Sequence, residues 1–193
     1  MSAPGRGVLY HVVCAASPAL DVAGAAVPLA RQAGWDVCVI VTPRVAQWVD
    51  LDRIAQATGR PVRSDYKKPG EPDVLPPPDA FLVAPATFNT INKWANGIAD
   101  TLVLGLLTEA LGLGVPIVVV PWLNAAQAAH PAFSRSVQTL RDAGATVLLA
   151  DNTSRADQAA AAGVTAAGLA PLPPGQTEQV EFPWRTAVDA LPR

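Results

Sequence analysis

Hydroxyl and amide side chains gather at three places in this chain, each just after a short apolar run. The densest group follows residues 81–84, where Thr87, Asn89, Thr90 and Asn92 fall in a polar turn that leads into a helical pattern. Side-chain donors beside the free backbone N–H groups of a helix N-terminus form a site suited to an anion such as a phosphate. Ser17-Pro18 and Thr42-Pro43 repeat the arrangement after two earlier apolar runs, with the hydroxyl placed to cap a helix and proline at its first position. If these runs are parallel strands, their exits lie together on one sheet edge, where α/β proteins hold ligands.

The elements that must position these groups alternate along the chain. Residues 8–15 and 35–42 are short, nearly continuous apolar runs that read as buried strands. Further strands are expected at 81–84, 117–120 and 146–150. Helices are expected at 18–34, 43–58, 90–113 and 132–143, with a short one near 154–162 and a last helical turn at the C-terminus. Residues 59–78 are dense in proline and charge and predict a loop or a short extended piece. The alternation argues for a parallel sheet covered by helices on both faces. Within 90–113 the apolar residues recur at three- and four-residue steps and widen beyond one face, so this segment must be buried on most sides. Gly97 and Gly105 interrupt it, marking either close approach by another backbone or a break between two helices. Such a helix serves either as a core element or at a subunit contact. Trp94 and Trp122, in or just after loops, add to the expectation of a homo-oligomer.

Composition narrows the function. The chain has 193 residues, half of them hydrophobic, enough to bury a core as a single domain spanning 1–193 with an irregular segment over 151–193. Its apolar runs break well before the ~18 residues of a membrane span, and no basic-then-apolar leader opens it, so a cytoplasmic protein without membrane association is expected. A net charge of −2 gives no excess of cations to neutralise a nucleic-acid backbone. The two cysteines, Cys14 and Cys38, sit inside apolar runs and read as buried free thiols rather than a disulfide or a metal pair.

The segment from Pro85 to Leu102 resembles the flavin-binding motif of the homo-oligomeric flavin-containing cysteine decarboxylases, the family that includes phosphopantothenoylcysteine decarboxylase. Pro85, Ala86, Thr87, Asn89, Thr90, Ile91, Lys93, Gly97, Ile98 and Asp100 match it in order. Pro121, Leu123, Asn124 and Pro131 match a second motif of the family, and weaker similarity extends the resemblance over roughly residues 8–150. The resemblance implies a flavodoxin-like or Rossmann-like three-layer sandwich that binds FMN and assembles as trimers, sometimes as a dodecamer. By position, Ser17, Thr42, Ala86, Thr87, Asn89 and Thr90 would surround the FMN phosphate and ribityl chain. Asn124 would contact the carboxylate of a small-molecule substrate.

The chain also departs from the family pattern. The region upstream of the flavin motif holds no histidine at the family's position; His11 lies in the first strand and His130 in the second motif loop. Gln127 and Ala128 stand where the second motif has Met and Trp, and no cysteine follows Cys38. The resemblance therefore does not bring the family's usual residues for cysteine decarboxylation to this chain. Three readings stay open. One is an FMN-dependent decarboxylation or redox step on a small carboxylated substrate with a changed residue set. Another is a noncatalytic or regulatory FMN-binding homologue. The third is a flavin prenyltransferase relative, with Arg135, Arg141, Trp94 and Trp122 as the residues for a prenyl-phosphate pocket.

Overall fold

The computed structural model describes residues 5–149 and 182–192. Five parallel strands form one sheet in the order β2-β1-β3-β4-β5. They are β1 (Gly7–Val13), β2 (Trp35–Val41), β3 (Ala80–Ala86), β4 (Ile117–Pro121) and β5 (Thr146–Val147). All seven residues of β3 are buried, as a strand covered on both faces requires. The pleat sends Leu9, Val39, Leu82 and Val118 to one face and Tyr10, Val12, Phe81 and Val119 to the other, giving two cores. The first is covered by α1 (Val27–Gln32), α2 (Leu51–Thr58) and α7 (Trp184–Asp189), the second by α3 (Phe88–Ala95), α4 (Leu102–Gly112) and α6 (Pro131–Asp142). This is the flavodoxin-like α/β arrangement expected.

Several elements differ from expectation for local reasons. The helix expected over 18–34 is a 3₁₀ segment (Ser17–Asp21), a π turn (Val22–Ala26) and then α1. Pro28 lies within this stretch and has no N–H to give to the ladder, which favours a change of hydrogen-bond spacing there. After β2 a short 3₁₀ turn (Val45–Gln47) comes first. The helix proper then starts at Asp50, whose carboxylate accepts from the Arg53 N–H at 2.9 Å, and it ends at Gly59 with φ 73°. The helix expected over 90–113 is two: Gly97 takes φ 71°, α3 stops, and Thr101 caps α4 by accepting from the Leu104 N–H at 3.3 Å.

Gly105 has a separate reason. A Cβ there would collide with the hydroxyl of Tyr66, which reaches from the 59–78 loop to donate to the Thr101 carbonyl at 3.1 Å. That loop also touches the sheet, with the Val41 N–H donating to the Arg63 carbonyl at 2.8 Å. Near the C-terminus, Phe182, Trp184, Ala187, Val188 and Leu191 are buried in the first core, so this part of 151–193 is an integral layer rather than an irregular tail. The helix expected at 154–162 lies outside the described residues, as does the end of the strand expected to reach 150. Among the described residues no helix is long and apolar enough to cross a membrane, and no cluster of metal-ligating side chains occurs. Both cysteines are free and buried.

Candidate functional site

A cleft of about 710 Å³ opens where the exits of β1, β2 and β3 meet the first turns of α3 and α4. In the strand order the chain winds from β1 outward to β2 on one side and to β3 on the other. Such a switch point is where doubly wound sheets bind ligands, and the volume suits a cofactor-sized molecule.

The β1 exit offers bare backbone. The Ala16 N–H donates to the Cys14 carbonyl at 2.8 Å, and Ala15 and Ala16 line the cleft with side chains too small to obstruct it. Ser17 is exposed, lies outside the lining and caps nothing. The Ala19 N–H that its hydroxyl would have accepted from is already satisfied by the Ala16 carbonyl at 2.9 Å.

The β2 exit offers Thr42. Its backbone is fixed on both sides, its N–H donating to Val13 O at 3.0 Å and its carbonyl accepting from Ala46 N at 3.1 Å. It lines the cleft, yet its hydroxyl oxygen is buried without a hydrogen-bond partner among the described residues. Buried hydroxyls are normally paired, so this one stands out at the edge of the cleft.

The β3 exit offers a helix N-terminus. Thr87 caps α3, its hydroxyl accepting from the Thr90 N–H at 3.4 Å and sharing a 3.0 Å hydrogen bond with the Thr90 hydroxyl. Asn89 is exposed on the first turn and lines the cleft together with Thr87 and Thr90. Ala86 is buried and outside the lining; its carbonyl accepts from the Trp122 N–H at 2.8 Å and so ties the β3 and β4 exits together. Asn92 does not serve as an anion donor, because its amide donates to the Phe88 carbonyl at 2.8 Å and its oxygen accepts from Ser136 at 2.7 Å.

Beyond β4, Trp122 and Gln127 line the cleft. Asn124 is exposed and outside the lining, its side-chain oxygen accepting from the Gln127 N–H at 2.9 Å to cap the short helix α5 (Ala125–Ala128). Thus Thr42, Thr87, Asn89 and Thr90 converge, whereas Ser17, Ala86 and Asn124 stand outside. Lys93, Arg44, Thr101 and Gln127 join the lining without having been singled out as site residues. Lys93 had a readable signal, since it sits four residues after Asn89 and therefore on the same face of α3.

Neither histidine lines the cleft. His11 is completely buried, donates from Nε2 to the Ala84 carbonyl at 2.7 Å, and packs edge-on against Trp184 at 5.8 Å. Burial pushes its pKa down to about 4, leaving a neutral core imidazole. His130 caps α6, its Nδ1 accepting from the Ala132 N–H at 3.1 Å. Burial also raises the thiol pKa of Cys14, and that of Cys38 to about 11. The residues named for a prenyl-phosphate pocket do not assemble: Trp94 is 3% exposed in the second core, Arg141 donates to the Val147 carbonyl, Arg135 is exposed on α6, and Trp122 alone of the set lines the cleft.

Known proteins share this plan. The crystal structure of the FMN-dependent cysteine decarboxylase TvaF from thioviridamide biosynthesis superposes with a TM-score of 0.64 at 25% identity, covering 83% of this chain and 98% of that one. Epidermin biosynthesis protein EpiD from Staphylococcus aureus shares the fold, with a TM-score of 0.63 at 20% identity over 74% of this chain and 82% of that one. In sequence, the coenzyme A biosynthesis bifunctional protein CoaBC of Bacillus subtilis (strain 168) is 34% identical over 119 residues, which are 58% of this chain and 29% of that protein. The chain thus spans less than a third of the length of such curated relatives. A family model described as Flavoprotein matches residues 10–169, so the chain belongs to the Flavoprotein family.

Proposed function

We propose that this chain binds FMN in the cleft and acts on a small carboxylated substrate in the manner of a decarboxylase. The observation that carries the cofactor reading is the buried, unpartnered Thr42 hydroxyl at the edge of a cleft that also receives the N-terminus of α3. The remaining lining fits the group: Thr87, Asn89 and Thr90 suit a phosphate and a polyol chain, and Phe88, Val103, Leu104 and Trp122 give apolar walls for a flat ring. FMN, when bound, supplies a two-electron acceptor for the substrate. The chain's own residues would hold the cofactor's anion at the β1–β3 exits and exclude water with Leu104 and Trp122. Gln127, inside the lining, and Asn124, at the cap of α5, are the candidates to meet the substrate carboxylate.

A second reading, a noncatalytic FMN-binding protein, is favoured by one observation: among the described residues the lining holds no histidine, cysteine or carboxylate. Titration with FMN, followed by flavin fluorescence and melting temperature, tests the shared part of both readings. At 100 times the dissociation constant the ligand should stabilise the protein by about 2.7 kcal/mol, and no change in either signal refutes FMN binding. Flavin bleaching and CO₂ release under anaerobic conditions with compounds bearing a terminal cysteine then separate the enzyme from the binder.

The same proposal includes cytoplasmic residence and assembly as a homo-oligomer, most simply a trimer. Support for association comes from apolar side chains left on the surface, notably Ile98 at 44% and Leu113 at 72% exposure on either side of α4. Trp94, buried within the chain's own core, gives no support to it.

A further inference from the structure

The charges around the cleft are unequal in a way that bears on which flavin it takes. Among the described residues the charged side chains lining it are Arg44 and Lys93, both cations. Lys93 is already compensated, its Nζ lying 2.5 Å from the Asp100 carboxylate across the α3–α4 break. Arg44 makes no ion pair with any described residue. It follows Thr42 and Pro43 directly, and so sits on the same strand exit as the unpartnered hydroxyl. The turn that carries it is held firmly: Val45 is fully buried beneath it, and the Gln47 N–H donates to the Arg44 carbonyl at 3.2 Å. The backbone is fixed, and Arg44 is exposed and lines the cleft. A planar, permanently charged fork in that place matches a phosphate rather than a neutral hydroxyl.

We infer that Arg44 is the specificity determinant that makes this cleft select the phosphorylated flavin over riboflavin, the Lys93–Asp100 pair contributing no net charge to the choice. This rests on the cofactor reading above and adds to it the identity of the discriminating residue. Removing the guanidinium takes away interaction with the phosphate and leaves ring and ribityl contacts alone. The loss should therefore fall on FMN and not on riboflavin. Because Arg44 is exposed, the effect lies at the lower end for a charge-assisted hydrogen bond, roughly tenfold in dissociation constant.

The experiment is calorimetric titration of the full chain and its Arg44→Gln variant with FMN and with riboflavin, at low and at moderate salt. The expected result is that the wild type prefers FMN and that Arg44→Gln loses about tenfold on FMN while riboflavin binding changes less than about twofold. The FMN affinity of the wild type should also fall more steeply with added salt than that of the variant. The melting temperature without ligand should be the same for both proteins, showing that the loss is not one of folding. Equal losses on the two flavins, or an undiminished preference for FMN in the variant, overturn the inference and leave FMN binding standing. A wild type that binds neither flavin overturns both.

Discussion

Replacing Thr42 by valine should move stability and cofactor affinity in opposite directions. Valine keeps the β-branched shape at the end of β2 and removes only the hydroxyl, which is buried and unpartnered. A buried polar group without a partner costs about 1–3 kcal/mol. Its removal should therefore stabilise the ligand-free protein by roughly 1 kcal/mol, a rise of about 2–4 °C in Tm for a chain of this size. If that hydroxyl exists to meet the cofactor's charged end, the variant forfeits about 1.5–3 kcal/mol of binding, a ten- to hundredfold rise in Kd. At an FMN concentration of 100 times the wild-type Kd, the wild type gains about 2.7 kcal/mol. A variant with a tenfold weaker site gains only about 1.4 kcal/mol under the same conditions. Differential scanning fluorimetry with and without FMN should thus show the variant melting higher when empty and shifting less when loaded. A variant that is less stable when empty and binds FMN as tightly as the wild type would refute the assignment of Thr42, since its hydroxyl would then have an internal partner and no cofactor role.

Two further predictions concern the cores. His11 takes a proton near pH 6.5 in the unfolded chain and only near pH 4 when buried. The unfolded state therefore binds more protons between these values, and roughly 3 kcal/mol of stability present above pH 6.5 should drain away as the pH falls to 4. Denaturant titrations across that window should show a slope that His11→Gln largely removes; equal slopes in the two proteins would mean that the imidazole is not buried in its neutral form. Trp94→Ala should cost about 3–5 kcal/mol, because a side chain only 3% exposed leaves a large cavity. That loss should be independent of protein concentration, whereas a destabilisation that vanishes at high concentration would place Trp94 in a subunit contact after all.

The strands were legible because strands covered on both faces read as short, nearly continuous apolar runs, and 8–15, 35–42, 81–84 and 117–120 all have that character. Helix limits were less so, because they are decided by competition for individual N–H groups. Thr42-Pro43 and Asp50 both look like helix starts, and the choice went to Asp50, whose carboxylate reaches the Arg53 N–H while the Thr42 hydroxyl makes no hydrogen bond with any described residue. Ser17 lost its capping role in the same way, to a backbone carbonyl. Gly97 points to a break as one of two alternatives, and the apolar spacing does not decide between them, because Ile98 continues it from Trp94 to Leu102 although it is 44% exposed. Periodicity reports which face is apolar and not whether the axis is continuous. The nearness of Trp94 to the polar turn argues for a subunit contact, yet the residue lies a full helical turn beyond Thr90 and is buried with Ile91 in the chain's own core.

That break also explains how the cleft is closed on its far side. An unbroken helix rises 1.5 Å per residue, so Thr101 would stand about 20 Å along the axis from Phe88, too far to share a cleft with Thr87. Gly97 in the left-handed region ends α3, and the 98–101 segment returns the chain so that Thr101, Val103 and Leu104 face the same space as Thr87 and Thr90. The Lys93–Asp100 ion pair spans this return, and Tyr66 fastens its end by donating to the Thr101 carbonyl. Gly97 permits the turn, and Gly105 makes room for the tyrosine that holds it. The two glycines that weaken the segment as a helix are therefore what allow one stretch of chain to supply two walls of the cleft.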